Sequence, residues 1–237
     1  MASQTEADMT IVPFSYTSPF HAGHLDAERW FHLDNISILI KQAWKPDGRG
    51  GTALDTPSSL CPSPNVLCCN ITNPSIVRHR RVLELGCGTG LVAIAAAHAG
   101  AREVVATDGD DQVVELAQLN IDLNTPSEAS STFSCSARKH FWGEDLDAVG
   151  EFDVVLGADI IACPYESAYE ALVVSLQRFL ASTSTVALIA YKQRHGSEAK
   201  FFFRLKREFT VEIVPKDDYH PDFRHEGIDI LHLAKRV

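Results

Sequence analysis

Residues 82–91 read VLELGCGTGL, a run of apolar, strand-forming residues that passes directly into three glycines at alternate positions. A run of small and apolar residues typical of a helix follows from 92 to 99 without a linker. Because glycine has no Cβ, it takes a tight turn at little cost and lets the backbone approach a ligand at a helix N-terminus. The stretch therefore predicts a strand, a cofactor-binding turn and a helix.

The spacing of the glycines limits which ligand the turn can bind. A dinucleotide-binding turn needs its third glycine where Leu91 stands, and a phosphate-binding loop needs a lysine that is absent here. Glu84 precedes the first glycine by two residues, and its carboxylate would repel a pyrophosphate but attract an ammonium group. Asp108 follows Gly86 by 108 − 86 = 22 residues, close to the position of a ribose-binding acid. Together these residues predict a nucleoside ligand without phosphates.

Three stretches of the sequence resemble a known family. They are ELGCGTGLVAIAAA at 84–97, VVATDGDDQVVELAQLNIDLN at 104–124 and FDVVLGADII at 152–161. They are similar to the class I (seven-β-strand) S-adenosylmethionine-dependent methyltransferases, and most similar to the methyltransferase family 16 protein lysine methyltransferases. The resemblance covers residues from about 80 to 214. It implies a Rossmann-like, doubly wound α/β fold whose seven-stranded sheet is mostly parallel with an antiparallel edge strand and has helices on both faces.

Alternating apolar runs and helical patterns predict most of the elements. Strands are predicted at 81–86, 103–108, 132–138, 153–158, 185–191, 210–214 and 227–233, and helices at 90–99, 111–124, 166–180 and 196–208. Because no helical pattern separates the last two strands, we expect them to pair antiparallel at one edge. We expect a methyltransferase domain at 80–237, preceded at 1–79 by an arm, a helix and a Pro/Ser/Cys-rich loop.

The segment before this domain is predicted from spacing and composition. Apolar residues at 30, 33, 36, 40 and 43 predict a helix from Asp26 to Trp44 that covers one sheet face. In the family, the corresponding helix begins with a Trp-Asp pair near the cofactor. The alternative to a purely covering role is therefore that this helix contacts the cofactor. Residues 46–77 contain many prolines and a Gly-Arg-Gly-Gly run, which predicts a long loop without helix.

Composition restricts the class of protein and its partners. The chain has 237 residues, 45% of them hydrophobic, and a net charge of −10, which fits one globular domain and disfavours nucleic acid as a partner. Six scattered cysteines indicate a reducing compartment, and no metal site is predicted. No leader or membrane span is predicted, so we expect the protein in the cytoplasm, with the nucleus as a second compartment. We also expect it to be a monomer.

The resemblance also implies which residues bind S-adenosylmethionine. Gly86, Gly88 and Gly90 would line its methionine part, Glu84 would support the ammonium group, and Asp108 would accept hydrogen bonds from the ribose. Gly109 and Ala158 would lie beside the cofactor, and Trp142 in the run FWGED at 141–145 would stack on the adenine. Trp142 could instead be a core residue that does not touch the adenine. Asp110 would also lie beside the adenosine, and its alternative role is that of a helix cap only.

The acceptor part of the site is predicted from the end of the fourth strand of the sheet. In family 16 an acidic-x-x-aromatic motif begins there and receives the substrate lysine. This chain has Asp159-Ile160-Ile161-Ala162, which keeps the acid and lacks the aromatic residue. Tyr165 could supply the missing ring, so Asp159 and Tyr165 are the candidate catalytic residues. The alternative for Asp159 is a helix-capping acid.

The predicted function is S-adenosylmethionine-dependent protein-lysine N-methylation of a non-histone protein that presents a lysine. Two alternatives follow from the missing aromatic residue and from the breadth of the fold: a non-catalytic S-adenosylmethionine-binding interaction module, and a small-molecule N-methyltransferase. A nucleic-acid amine methyltransferase is disfavoured, because the expected Asn/Asp-Pro-Pro-Tyr/Phe motif does not begin at Asp159.

Overall fold

Seven strands form one mixed sheet, and the first two strands of the described chain form a separate hairpin. The computed structural model describes residues 27–33, 36–42, 67–68, 70–71, 73–127, 133–161, 168–192, 198–221, 224–225 and 227–236. The strands are β1 (Glu28–Leu33), β2 (Ile36–Lys41), β3 (Arg81–Leu85), β4 (Glu103–Asp108), β5 (Cys135–Lys139), β6 (Val154–Ala158), β7 (Val186–Lys192), β8 (Phe209–Ile213) and β9 (Ile228–Lys235). The helices are α1 (Pro74–Val77), α2 (Leu91–His98), α3 (Asp111–Asn124), α4 (Leu146–Val149), α5 (Tyr169–Phe179) and α6 (Glu198–Glu208).

The order of the strands places a ligand-binding crevice at the centre of the sheet. The order is β5-β4-β3-β6-β7-β9-β8. Among these seven strands only β9, which lies between β7 and β8, runs opposite to the other six. After β3 the chain adds β4 and β5 on one side of β3. It then crosses over and adds β6 on the other side of β3. Open α/β sheets bind ligands at such a switch point, outside the carboxyl ends of the strands.

Alternate residues of the central strands face two different cores. Val82, Val104 and Val154 pack on the first face with α2, α3 and the β1–β2 hairpin. Leu83 and Val155 pack on the second face with α5 and α6. Since each face of the sheet is covered, the central strands are apolar on both sides, as parallel strands usually are. The predicted doubly wound α/β fold is confirmed.

The predicted helix over 26–44 is wrong. Residues 28–33 and 36–41 form an antiparallel hairpin in which Leu33 pairs with Ile36 and Glu28 with Lys41. The apolar residues at 33, 36 and 40 fit a helical period. In the run ISILIK, however, isoleucine also recurs at every second position, which fits a strand. Ile38 and Ile40 are fully buried in the first core, so tertiary packing selects the strand. Asp34 and Asn35, which separate the strands in sequence, are residue types typical of turns.

The predicted loop over 46–77 is partly wrong at its C-terminal end. Residues 67–68 and 70–71 are helical, and α1 begins at Pro74, a residue tolerated at the first position of a helix. Leu67, Ile71 and Val77 are fully buried in the first core, which stabilises this part of the segment. The predicted arm at 1–25 and the rest of the loop, including Cys61 and Cys69, lie outside the described residues. In the part of the chain described, no metal-ligand cluster is found.

Candidate active site

The glycine loop connects β3 to α2 at the carboxyl edge of the sheet. Gly86, Gly88 and Gly90 have φ values of 65°, 53° and 82°, in the left-handed region that favours glycine. The Cys87 amide donates to the Thr107 carbonyl oxygen at 2.8 Å, and the Gly90 amide donates to the Cys87 carbonyl oxygen at 2.9 Å. These bonds fix the loop against β4 and direct the backbone toward the N-terminus of α2. The predicted succession of strand, turn and helix is confirmed.

Glu84 lies beneath this loop. Its side chain is 1% exposed, and its Oε2 atom accepts a hydrogen bond from the Ala93 amide in the first turn of α2 at 2.9 Å. Burial raises the pKa of Glu84 to about 8, although the Ala93 N–H opposes the shift, and the nearby Asp108 adds to it. The carboxyl group therefore supports the loop and the helix N-terminus from behind, and any effect on a cofactor ammonium group passes through them.

The raised pKa of Glu84 predicts how stability depends on pH. The folded chain keeps this proton up to about pH 8, whereas the unfolded chain loses it near its ordinary value of 4.5. Unfolding therefore releases a proton, and the free energy of unfolding falls as pH rises toward 8. Between pH 6.5 and 8 we expect a loss of about 1.5 kcal/mol, measured by urea unfolding of the cofactor-free protein.

Glu84→Gln is the matched variant for this experiment, because an amide oxygen can still accept from the Ala93 N–H. Its unfolding free energy should lack the fall of about 1.5 kcal/mol over the same window. Burial lowers the pKa of His98 and of His140, which makes stability rise with pH until the unfolded chain has lost its histidine protons, and it raises the pKa of Asp108, which makes stability fall. Wild type and variant share these effects, so the difference between them isolates Glu84. An equal slope in wild type and variant would show that Glu84 is already ionised in the folded protein.

Asp108 ends β4 and faces the glycine loop. Its Oδ2 atom accepts from the Gly88 amide at 3.2 Å, and its Oδ1 atom accepts from the Asp110 amide at 3.3 Å. Burial raises the pKa of Asp108 above its ordinary range, and these N–H groups oppose the shift. The predicted ribose-binding acid is therefore next to the loop. Asp110 is the N-cap of α3, accepting from the amides of Gln112 and Val113, so the helix-cap alternative is confirmed.

Three elements meet at Gly86. A Cβ atom added there would lie 2.8 Å from Ile160 Cγ2 and 3.6 Å from Trp142 Cζ2. Trp142 follows β5, and its loop is attached to α5 because the Gly143 amide donates to the buried Ser175 Oγ at 2.8 Å. The half-buried Trp142 ring thus packs between the glycine loop and the second core.

This close packing predicts the effect of Gly86→Ala. The substitution places a Cβ both at a left-handed φ and within 2.8 Å of Ile160. We expect the free energy of unfolding to fall by about 2–4 kcal/mol, from the left-handed conformation plus displacement of Ile160. Gly227→Ala is the control, since Gly227 has φ +66° and no atom within 4 Å of an added Cβ. Urea unfolding that gives equal losses for both variants would contradict the close approach at Gly86.

Gly109 and Phe141 form the outer wall next to Asp108. An added Cβ at Gly109 would lie 3.0 Å from Phe141 Cδ1, and the Phe141 side chain remains 49% exposed. Lys139 Nζ lies 5.3 Å from the centroid of the Phe141 ring, while pairing with Asp111. The structure therefore provides two aromatic surfaces, Phe141 and Trp142, near the predicted adenosine site.

Asp159 lies on the other side of the switch point from Asp108. It follows Ala158, the last residue of β6, and has a left-handed φ of 62°, which is uncommon for a residue with a side chain. Its amide donates to the Ala190 carbonyl oxygen of β7 at 2.8 Å, and the next residue, Ile160, packs onto Gly157 and Gly86. The turn therefore holds Asp159 half-buried at the carboxyl edge. Tyr165 and Ala162 lie outside the described residues.

The arrangement suits a positively charged nucleoside. The loop presents glycine backbone and no basic side chain, the protonated Glu84 lies behind it, and Asp108 and Asp159 lie at the ends of β4 and β6. A metal ion is not needed for binding such a ligand. Burial raises the pKa of the Cys87 thiol in the loop well above its ordinary value, so Cys87 is a poor nucleophile.

Comparison with known proteins identifies the family. Residues 63–208 match the family described as "Lysine methyltransferase". The chain belongs to the lysine methyltransferase family. It is 33% identical to protein N-lysine methyltransferase METTL21A of Xenopus tropicalis over 217 residues, which cover 88% of this chain and 92% of that protein. The predicted class of enzyme, an S-adenosylmethionine-dependent lysine N-methyltransferase, is confirmed.

Solved structures agree with the fold of this lysine methyltransferase. A ribosomal protein L11 methylase from Lactobacillus delbrueckii subsp. bulgaricus aligns with a TM-score of 0.53 at 20% identity, covering 72% of this chain and 78% of that chain. SMU.776 complexed with SAH aligns with a TM-score of 0.58 at 12% identity, covering 93% of this chain and 57% of that chain. At these identities the likeness concerns the fold.

Some residues of the site were not predicted from the sequence of this lysine methyltransferase. Ile160 was not recognised as the residue that packs on Gly86, and Ala117 of α3 lies 3.5 Å from a Cβ added at Gly90. Neither residue type carries a signal in a sequence. Within the described residues, no helix combines the length and apolar character that a membrane span needs.

Proposed function

We propose that this lysine methyltransferase transfers a methyl group from S-adenosylmethionine to the ε-amino group of a lysine in a non-histone protein. The observation that carries the proposal is the placement of Asp108 and Asp159 on opposite sides of the switch point, with the glycine loop between them. Such a crevice is where open α/β folds bind their ligands. One side of it suits a nucleoside and the other suits a cationic acceptor.

The cofactor side is assigned to the loop and its neighbours. Gly86, Gly88 and Gly90 lie along the methionine part, Asp108 accepts from the ribose hydroxyls, and Glu84 supports the loop from behind. Gly109, Trp142 and Ala158 line the rest of the cofactor site. When bound there, S-adenosylmethionine supplies a methyl group on a sulfonium, and S-adenosylhomocysteine remains after transfer. The residues present fit this ligand, because the glycines leave space at the loop and the Asp108 carboxylate can accept from the ribose hydroxyls.

The acceptor side is assigned to Asp159, together with Tyr165. Asp159 binds the incoming lysine ammonium and orients its Nζ atom toward the loop. An ammonium group has no free electron pair, so the lysine must lose a proton before the new N–C bond forms and the S–C bond breaks. Positioning of the two reactants and removal of water are then the main contributions of the enzyme. Tyr165 would supply an aromatic wall for the lysine side chain.

The net charge of −10 supports a basic segment of a protein as the partner, rather than nucleic acid. We propose that the chain acts as a monomer in the cytoplasm and also reaches the nucleus. The reducing environment suits its thiols, and Cys87 and Cys135 of the described chain are not in disulfides.

Incubation with methyl-labelled S-adenosylmethionine tests the proposal. The purified protein and its Asp159→Asn variant are each added to a lysate of cells that lack this protein. Protein bands that are labelled only with the wild type, on lysine residues by mass spectrometry, are the expected result. Label confined to the small-molecule fraction would favour a small-molecule N-methyltransferase, and cofactor binding without any transfer would favour an interaction module.

A further inference from the structure

Two asparagines of α3 bind the open edge of the β1–β2 hairpin. Asn120 Oδ1 accepts from the Lys41 amide at 2.8 Å, and Asn120 Nδ2 donates to the Lys41 carbonyl oxygen at 3.1 Å. Asn124 makes the same pair of bonds with Leu39, at 3.0 and 2.8 Å. Each carboxamide therefore satisfies both backbone polar groups of one β2 residue, as a neighbouring strand would.

The spacing of the two elements explains why asparagines four residues apart can do this. Four residues of a helix rise about 6 Å, and two residues of a strand rise about 6.6 Å, so the two carboxamides meet alternate residues of β2. The backbone N–H and C=O groups of Leu39 and Lys41 point toward α3 and away from β1. The helix thus fixes the hairpin at two matched points.

Only Asn120 also reaches the cofactor loop. Its Nδ2 atom donates a second hydrogen bond, to the Thr89 carbonyl oxygen, at 2.9 Å, and the Asn120 side chain is fully buried. The Thr89–Gly90 peptide is planar, so fixing the Thr89 oxygen on one side directs the Gly90 N–H to the other. That N–H donates to the Cys87 carbonyl oxygen at 2.9 Å and closes the loop. Ala117, one turn earlier in α3, packs beside Gly90.

We propose that Asn120 is a positioning residue for methyl transfer, which holds the Thr89–Gly90 peptide in its cofactor-binding orientation and couples it to the N-terminal hairpin. The inference rests on the proposed function in one respect, the assignment of the glycine loop to the cofactor. Asn120 itself does not touch the cofactor. It acts on cofactor affinity through the carbonyl oxygen of Thr89, and the hairpin acts through Asn120.

Asn120→Ala and Asn124→Ala form a matched pair that tests this role. Each variant removes two bonds to β2, but only Asn120→Ala removes the bond to Thr89. We expect the Kd for S-adenosylhomocysteine, measured by calorimetry, to rise by about tenfold in Asn120→Ala and to stay within about twofold of wild type in Asn124→Ala. At saturating S-adenosylmethionine, kcat of Asn120→Ala should remain near the wild-type value while its KM for the cofactor rises.

Hydrogen exchange adds a measurement that needs no ligand. The Gly90 amide should exchange faster in Asn120→Ala than in wild type, and Asn124→Ala should leave its rate unchanged. If Asn120→Ala does not fold, Asn120→Ser is compared with Asn124→Ser in the same two measurements. Equal changes in Kd and exchange for both positions, or no change at position 120, would overturn the positioning role. Unchanged affinity in Asp108→Ala would instead contradict the assignment of the cofactor site.

Discussion

Replacing Asp159 by asparagine is expected to lower kcat/KM for lysine methylation by about 100-fold or more, while the Kd for the cofactor stays near the wild-type value. The reason is charge: the amide no longer attracts the lysine ammonium, although it occupies the same space. Asparagine is chosen because, like aspartate, it tolerates the left-handed φ of 62° observed at this position. The rate is measured as incorporation of a labelled methyl group into protein.

Asp153→Asn provides the control at the opposite end of the same strand. The Asp153 carboxylate accepts from the Arg81 amide at 2.7 Å, a bond that an amide oxygen can also accept. This variant should retain full activity. Full activity in Asp159→Asn would rule out Asp159 as the acceptor residue, and equal losses in both variants would show a general effect of removing a carboxylate.

Asp108→Ala is expected to weaken cofactor binding by about 1–3 kcal/mol, which is roughly a 5- to 150-fold rise in Kd. The ribose hydroxyls lose the carboxylate that accepts from them. The Gly88 and Asp110 amides also lose their acceptor, so the loop becomes less ordered before the cofactor arrives. Calorimetric titration with S-adenosylhomocysteine gives the Kd directly and does not depend on catalysis.

Asp111→Ala is the matched control for this measurement. Asp111 lies three residues further along, pairs with Lys139 on the surface, and its side chain is 70% exposed. Its removal should leave the Kd unchanged, because exposed ion pairs contribute little. A Kd for Asp108→Ala within twofold of wild type would remove Asp108 from the cofactor site.

The central part of the fold could be predicted because its signals are local. The glycines at 86, 88 and 90 follow an apolar strand directly, and the helix after them has no polar residue before His98. The strand bounds at 103–108 and the helix bounds at 111–124 agree with the structure. The capping role of Asp110 is also local, since its partners are two and three residues away.

The N-terminal hairpin could not be predicted in this way, because its stability comes from distant residues. Ile38 and Ile40 are buried by a core that includes Val92 and Ile121, and the edge of β2 is covered by side chains 79 and 85 residues away. When the spacing of apolar residues fits both a helix and a strand, only such distant contacts determine which of the two forms. The pair Asn120 and Asn124, four residues apart on a predicted helix, was visible, but its partners were not.

The most direct test of the cofactor assignment is a calorimetric titration of the purified wild-type protein with S-adenosylhomocysteine, repeated with adenosine diphosphate. A loop without basic side chains, placed next to the Asp108 carboxylate, predicts one site per chain for S-adenosylhomocysteine and no measurable heat with the diphosphate. Absence of heat with S-adenosylhomocysteine, or tighter binding of the diphosphate, would contradict the assignment.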